Sequence, residues 1–311
     1  MTSVEAKEQR PDELDVSVVL PVFNEEGHVS AEIDRIRGAL EDSEYSYEII
    51  AIDDGSSDNS AEELRRIPGI RLFEFAQNRG SGSARRVGTR AARGRVVVWT
   101  DADMTYPNER IPDLVRDMDG YDQVVGARTS EQGTAKFFRV PAKWFIRKLA
   151  SYLTSTPIPD LNSGLRVFRR EVAVQFLRFL PPGFSCVTTI TMTFLANGYS
   201  IRYVPIEYAD RAGRSKFHWW RDTSRYIMQV VRMILSYNPL RVFLPIGLVL
   251  LIGGVAKLGF DWVDKDFRLA ANTILILFAA FQTLAIGLLA DLVVRMVKPE
   301  DQVDPASIHR G

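Results

Sequence analysis

The chain has 311 residues, and its 39 lysines and arginines balance 39 aspartates and glutamates to a formal net charge of zero. A general nucleic-acid binder would carry a basic excess, so no nucleic-acid partner is expected. A single cysteine, Cys186, excludes an intramolecular disulfide, suits a reducing compartment and reads as a small buried hydrophobe. The length is ample for a sizeable core and exceeds one average domain.

Residues 1–14 are charged and polar, without the apolar run of a signal peptide or anchor, and are expected to form a loose tail. Val16 to Leu20 reads as a strand closed by Pro21. Asn24-Glu25-Glu26 then opens a helix to about Leu40, with Ile33, Ile36 and Leu40 on one face. A second strand, Tyr47 to Ile52, ends in Asp53-Asp54-Gly55-Ser56. Ser57 or Asp58 caps a helix over Ala61 to Arg66. Pro68-Gly69 turns the chain into a third strand, Ile70 to Phe75. Asn78 to Ser83, with Gly80 and Gly82, leads into a helix through Arg93, and Gly94 ends it. Val96 to Trp99 is a fourth strand, followed by Asp101 and Asp103 and stopped by Pro107.

Strands alternating with helices imply βαβ units and a mostly parallel sheet, whose ligands sit at the carboxyl ends of the strands. Pro21 to Glu25, Asp53-Asp54, and Asp101 with Asp103 all fall at such ends. Two like charges one residue apart repel unless neutralised, and a divalent Mg²⁺ or Mn²⁺ holding a diphosphate would neutralise them. The plainer reading is a surface turn, where aspartate is common. The Gly80/Gly82 loop is no Walker loop, because no Gly-Lys-Ser/Thr follows it. Small residues for close packing explain it equally well.

Ser17 to Glu26, Ile52 to Asp58, the Asn78 to Gly94 segment and Asp101-Ala102-Asp103 together resemble the family-2 inverting glycosyltransferases of the GT-A fold, over about half the chain. The resemblance implies a nucleotide-sugar donor, with Pro21, Phe23, Asn24, Glu25 and Asp53 or Asp54 around its base and ribose, and Gly80 counted with them. It implies that Asp101 contacts the nucleotide, that Asp103 holds the metal on the diphosphate, and that the ligand set is Asp101, Asp103 and Thr105. Thr105 stands where many relatives have glutamine.

Further on, Gln123 to Gly126 is a strand followed by Ala127-Arg128, and Lys136 to Leu153 a basic, aromatic helix. Asp160 to Arg166 precedes a strand to Phe168 and a helix from Arg170. Phe184 to Leu195 is a helix, Ile201 to Glu207 a late strand, and Arg211 to Lys216 a basic loop. Gly126 to Arg128, Arg147 to Ser151, Asn162 to Arg166 and Arg211 to Lys216 resemble the polyprenyl-phosphate glycosyltransferases, the dolichyl-phosphate mannose synthase-like subgroup. The resemblance implies that Arg128, Arg147 and Ser151 grip an acceptor phosphate, and that Ser215 and Lys216 lie on a loop closing over donor and acceptor.

After about residue 217 the composition turns apolar. Trp219 to Tyr237 reads as an interfacial amphipathic helix, with Ile227, Val230, Ile234 on one face and Arg221, Arg225, Arg232 on another. Val242 to Phe260 and Leu269 to Ala290 each suffice to span a bilayer core of about 30 Å, and Lys257 can snorkel. Arg232 and Arg241 precede the first span, and Arg295 and Lys298 follow the second, so both termini and the catalytic part are expected in the cytoplasm.

The expected organisation is therefore a tail (1–14), a GT-A catalytic domain (15–217), an amphipathic region (218–240), a two-helix transmembrane hairpin (241–298) and a cytoplasmic tail (299–311). The expected reaction is metal-dependent, inverting transfer of one hexose from a UDP- or GDP-sugar to a dolichyl or undecaprenyl phosphate, serving glycan assembly. Membrane lipids are the surrounding partner, and self-association is left open. Two rivals stand beside it. One is a processive polysaccharide synthase, which Gln229 to Met233 echoes weakly. The other is a catalytically silent membrane scaffold.

Overall fold

The structure, a computed structural model, describes residues 14–129, 157–209, 235, 239–264 and 270–297. Residues 14–129 and 157–209 make one compact unit and the described residues from 235 onward belong to a second.

Four parallel strands form one half of the first unit's sheet: β1 (Val16–Val22), β2 (Tyr47–Asp53), β3 (Ile70–Glu74) and β4 (Val96–Trp99). Helices α1 (Val29–Glu41), α2 (Ser60–Arg66) and α3 (Ser81–Ala91) connect them. After α4 (Ile111–Arg116) come β5 (Gln123–Arg128), β6 (Arg166–Arg169), α5 (Arg170–Phe176), α6 (Cys186–Ala196) and β7 (Ile201–Ile206). The seven strands lie in the order β3-β2-β1-β4-β6-β5-β7. Strand β6 runs antiparallel to β4 and β5, whereas β5 and β7 are parallel.

The strands are apolar on both faces because both are covered. Val16, Val18, Leu20 and Val22 join Ile33, Ile36 and Leu40 of α1 in one core, all essentially inaccessible to solvent. Each such side chain contributes on the order of 1.5–3 kcal/mol. Strand β1 runs one residue past the expected stop at Pro21, to Val22. Successive residues face alternate neighbours, and Val22 accepts from Asp54 N on the β2 side. The missing N–H of Pro21 therefore falls on the β4 side, where the ladder has already ended at Val19 opposite Trp99.

Helix α1 begins at Val29, later than expected, because Asn24 (φ 55°) and Gly27 (φ 81°) are left-handed and break the helical path. His28 sits half-buried at its N-cap, outside the helix proper.

The second unit contains helices α7 (Leu240–Asp264) and α8 (Ala271–Val297), of 25 and 27 residues. Each carries an 18-residue window of mean hydropathy 2.1 or 2.2, only 11% and 17% buried. A soluble core helix of this length would be mostly buried, so these helices have the length and surface of membrane spans. They pack on each other where a side chain at Gly247 would strike Leu284. Lys257 does not simply snorkel. Its ammonium lies 3.5 Å from Asp261, which also accepts from the Thr273 hydroxyl.

Candidate active site

The sheet order reverses between β1 and β4, so a crevice opens outside their carboxyl ends, where ligands of open α/β sheets bind. The segments following β1, β2 and β4 meet at this edge. All three strands are parallel and in register, so Pro21–Asn24, Asp53-Asp54 and Asp101–Asp103 are brought together as expected.

The loops after β1 and β2 are laced into one platform. Asn24 N donates to Ser56 Oγ at 3.1 Å, and Ser57 N returns a bond to Asn24 Oδ1 at 2.8 Å. Glu25 N donates to Ser60 Oγ at 2.9 Å. The left-handed backbone at Asn24 is thus repaid by its own side chain, and Phe23 and Glu25 are held half-buried beside it. Asp53, buried, accepts from Ser56 N at 3.3 Å. Asp54, also buried, accepts from Arg79 N at 2.7 Å. Burial pushes the Asp54 carboxyl up, the Arg79 and Gly80 N–H groups pull it back, and the charge of Asp53 adds to the rise.

The Gly80 turn, which the resemblance counts with the nucleotide-binding residues, packs against Pro182. Gly82 and Ser83 N–H donate to the Pro182 carbonyl at 2.7 and 3.2 Å. A Cβ on Gly80 would lie 2.4 Å from that same oxygen.

Asp101 has a partner that the sequence did not reveal. Arg85, on α3 and 1% exposed, donates from Nη2 to Asp101 Oδ1 at 2.5 Å and stacks over Trp99 at 5.5 Å. A charged residue in a polar helix reads as solvated, so its inward aim was invisible. Its one local signal was its place one turn inside the Gly80–Ser83 helix start. Tyr106, buried, accepts from Gly164 N at 2.6 Å. Gly164 packs against the other Asp101 oxygen. Arg166, two residues on, is buried and bonds the Ser163 and Val187 carbonyls and Thr191. Burial, with the nearby charge of Arg85, pushes its guanidinium down to about 10. Cys186 is buried beside these arginines, as a small core residue, 3.8 Å from Arg85.

Asp103 is half-exposed and oriented by Thr105, whose N and Oγ1 both donate to Oδ1, at 3.3 and 2.5 Å. Thr105 is 1% exposed. Its buried hydroxyl, which the resemblance counts among the metal ligands, is bonded here to Asp103 and braces that carboxylate. The next residue after Asp103, Met104, is left-handed at φ 60°.

The donor set suits a hard divalent cation. Among the described residues no three acidic, cysteine or histidine side chains cluster as a complete metal site. One or two carboxylates completed by substrate phosphates is the usual arrangement for Mg²⁺.

Arg128, at the end of β5, forms a two-pronged pair with Asp160: Nε to Oδ2 at 2.7 Å and Nη2 to Oδ1 at 3.0 Å. Its guanidinium also stacks on Tyr208 at 5.3 Å. The resemblance assigns Arg128 to an acceptor phosphate; here two of its N–H groups hold the Asp160 carboxylate. Burial would raise Asp160, but the Arg128 bonds and charge hold it below the usual carboxylate range. Arg147, Ser151, Ser215 and Lys216 lie outside the described residues, as do the Lys136–Leu153 and nearly all of the Trp219–Tyr237 segments.

The glycosyl transferase family 2 model matches residues 17–176, and the model of the GtrB C-terminal hairpin matches residues 238–296. The chain is 32% identical over 308 residues to the undecaprenyl-phosphate 4-deoxy-4-formamido-L-arabinose transferase of Aeromonas hydrophila, spanning 90% of this chain and 89% of that one. It is 33% identical over 302 residues to the Proteus mirabilis protein of the same name, with the same coverage. Among solved structures, glucosyl-3-phosphoglycerate synthase of Mycobacterium tuberculosis bound to UDP superposes with a TM-score of 0.56 at 22% identity, over 71% of this chain and 80% of that one. The same enzyme with Mn²⁺, UDP and phosphoglyceric acid gives 0.56 at 23%, over 71% and 78%. Those two likenesses bear on the fold, which is of the GT-A kind. On the match of just over half its length and the near-complete coverage of its relatives, this chain is a glycosyltransferase and belongs to glycosyl transferase family 2.

Proposed function

We propose that the protein transfers one sugar, with inversion, from a nucleotide sugar to a polyprenyl phosphate at the cytoplasmic face of a membrane. The observation that carries this reading is the coverage of the relatives: nine-tenths of the chain, catalytic part and apolar hairpin together, aligns with undecaprenyl-phosphate sugar transferases. The acidic strand ends beside a topological switch point support the donor side.

Asp103, with Asp101 beside it, would hold Mg²⁺ or Mn²⁺ on the diphosphate, and the ion would offset charge on the departing nucleoside diphosphate. Arg85 holds Asp101 in place through its hydrogen bond. The Asn24–Ser56 platform, with Pro21, Phe23, Glu25 and Asp53, shapes the nucleotide side. The acceptor is a phosphate monoester, largely ionised near neutrality with a second pKa of about 6, so its oxygen needs no general base. That oxygen bonds to the anomeric carbon as the carbon–oxygen bond to the diphosphate breaks, and the electron pair leaves with the nucleotide. Orientation is then the main task of the protein. Arg147, Ser151, Ser215 and Lys216 are assigned to the acceptor phosphate and the closing loop.

The domain limits follow the same reading: tail to 14, catalytic domain 15–217, interfacial region 218–240, hairpin 241–298 with both ends cytoplasmic. The test is purified protein, farnesyl phosphate, and a panel of labelled UDP- and GDP-sugars with Mn²⁺. One donor should yield a lipid carrying a single sugar, and failure of every donor would sink the reading.

A further inference from the structure

Helix α1 aims two ionisable side chains at the segment that carries Asp101 and Asp103. Glu32 is fully buried, and Asn108, equally buried, donates from Nδ2 to its Oε1 at 2.8 Å. Thr100 completes the chain by donating to Asn108 Oδ1 at 2.6 Å. Arg35, one turn along, lies 3.8 Å from Glu32, bonds the Tyr106 carbonyl, and donates to Glu109 at 2.8 Å. The segment is thus anchored before Asp101, at Thr100, and again from Tyr106 to Glu109. Asp103 and left-handed Met104 lie between the anchors.

Packing alone does not call for this arrangement. The second Glu32 oxygen is buried and takes no hydrogen bond among the described residues, which is costly where an aliphatic side chain would fit. Burial lifts the Glu32 carboxyl above its ordinary range, opposed by Asn108, Arg35 and the nearby Met104 N–H and reinforced by the charge of Asp103. Buried polar groups that defy the packing rule cluster where geometry serves function.

We infer that Glu32 and Asn108 are positioning residues for Asp103, fixing the turn at which its carboxylate meets a metal-bound diphosphate. The inference rests on the reading of Asp103 as the metal carboxylate. Neither residue touches substrate; both act through the Thr100–Glu109 segment.

The test uses full-length protein in detergent. Mn²⁺ affinity is measured by electron paramagnetic resonance with UDP in one arm and GDP in the other, alongside thermal unfolding. Glu32→Leu and Asn108→Leu should each weaken Mn²⁺ about tenfold. Glu32→Gln, which keeps an acceptor for Asn108, should stay within about twofold of the parent. Glu32→Leu with Asn108→Leu should be no weaker than either alone, as expected of residues acting as one unit. Asn108→Ser carries the test if a leucine variant does not fold. Unchanged Mn²⁺ affinity with only a lowered melting temperature would overturn the positioning role. Retained affinity in Asp103→Asn, or none in the parent with either nucleotide, would instead overturn the metal reading beneath it.

Discussion

A side chain on residue 164 would place its first carbon 2.6 Å from Asp101 Oδ2. Gly164 and Asp101 therefore lock the 160–166 segment against the Asp101–Asp103 turn, and Gly164 N completes the lock by donating to Tyr106. Gly164→Ala should lose roughly 100-fold in turnover, because the carboxylate must move. Stability should fall by about 1–3 kcal/mol. Steady-state kinetics with chemical denaturation checks both, and wild-type turnover would contradict the lock.

Arg85 and Asp101 form a nearly inaccessible ion pair on one side. Removing one partner strands the other, so Arg85→Leu should cost about 3 kcal/mol or more. Arg85→Leu combined with Asp101→Leu should recover part of that stability without any activity. A double-mutant cycle by urea unfolding measures the coupling, and additive losses would show that the two charges act separately.

The Arg128–Asp160 pair gives a signed pH dependence. The folded Asp160 carboxyl lies below its ordinary value of 3.8, so its stabilisation is fully present above that value and is lost as pH falls through the depressed one. Asp160→Asn should therefore flatten the stability curve below about pH 4 and lower stability at neutrality by about 3 kcal/mol. Thermal unfolding from pH 3 to pH 7 tests this, and a variant that still loses stability with the parent's slope would refute it.

The orientation of the hairpin is testable with the lone native cysteine left in place, since Cys186 is buried and should stay silent to reagents. Lys265→Cys, between α7 and α8, should react with an impermeant maleimide only from the non-cytoplasmic face. Labelling from the cytoplasmic face would reverse the topology.

The parts of this molecule that one strand or helix period can encode were legible. Val96 to Trp99 is a strand with the expected bounds, and Ile33, Ile36 and Leu40 face the core as the spacing requires. Asp101, Asp103 and the Asn24 loop meet because parallel strands share an edge. What escaped the reading depends on long-range contacts. Helix α4 is short, with Pro112 as its second residue, so no period announced it. The inward aim of Arg85, the capture of Arg128 by Asp160 across 32 positions, and the Gly80–Pro182 seam are each set by a partner distant in sequence. Thr105 matched a ligand position by alignment alone, while its burial is set by the packing around it.

The most direct measurement is incorporation of labelled sugar into lipid by Asp103→Asn and the parent, with polyprenyl phosphate, Mn²⁺ and the donor that the panel selects. The account predicts a lipid bearing one sugar from the parent, and at least about a 100-fold loss from the folded Asp103→Asn protein. Undiminished transfer by that variant, or a polymeric product from the parent, would contradict it.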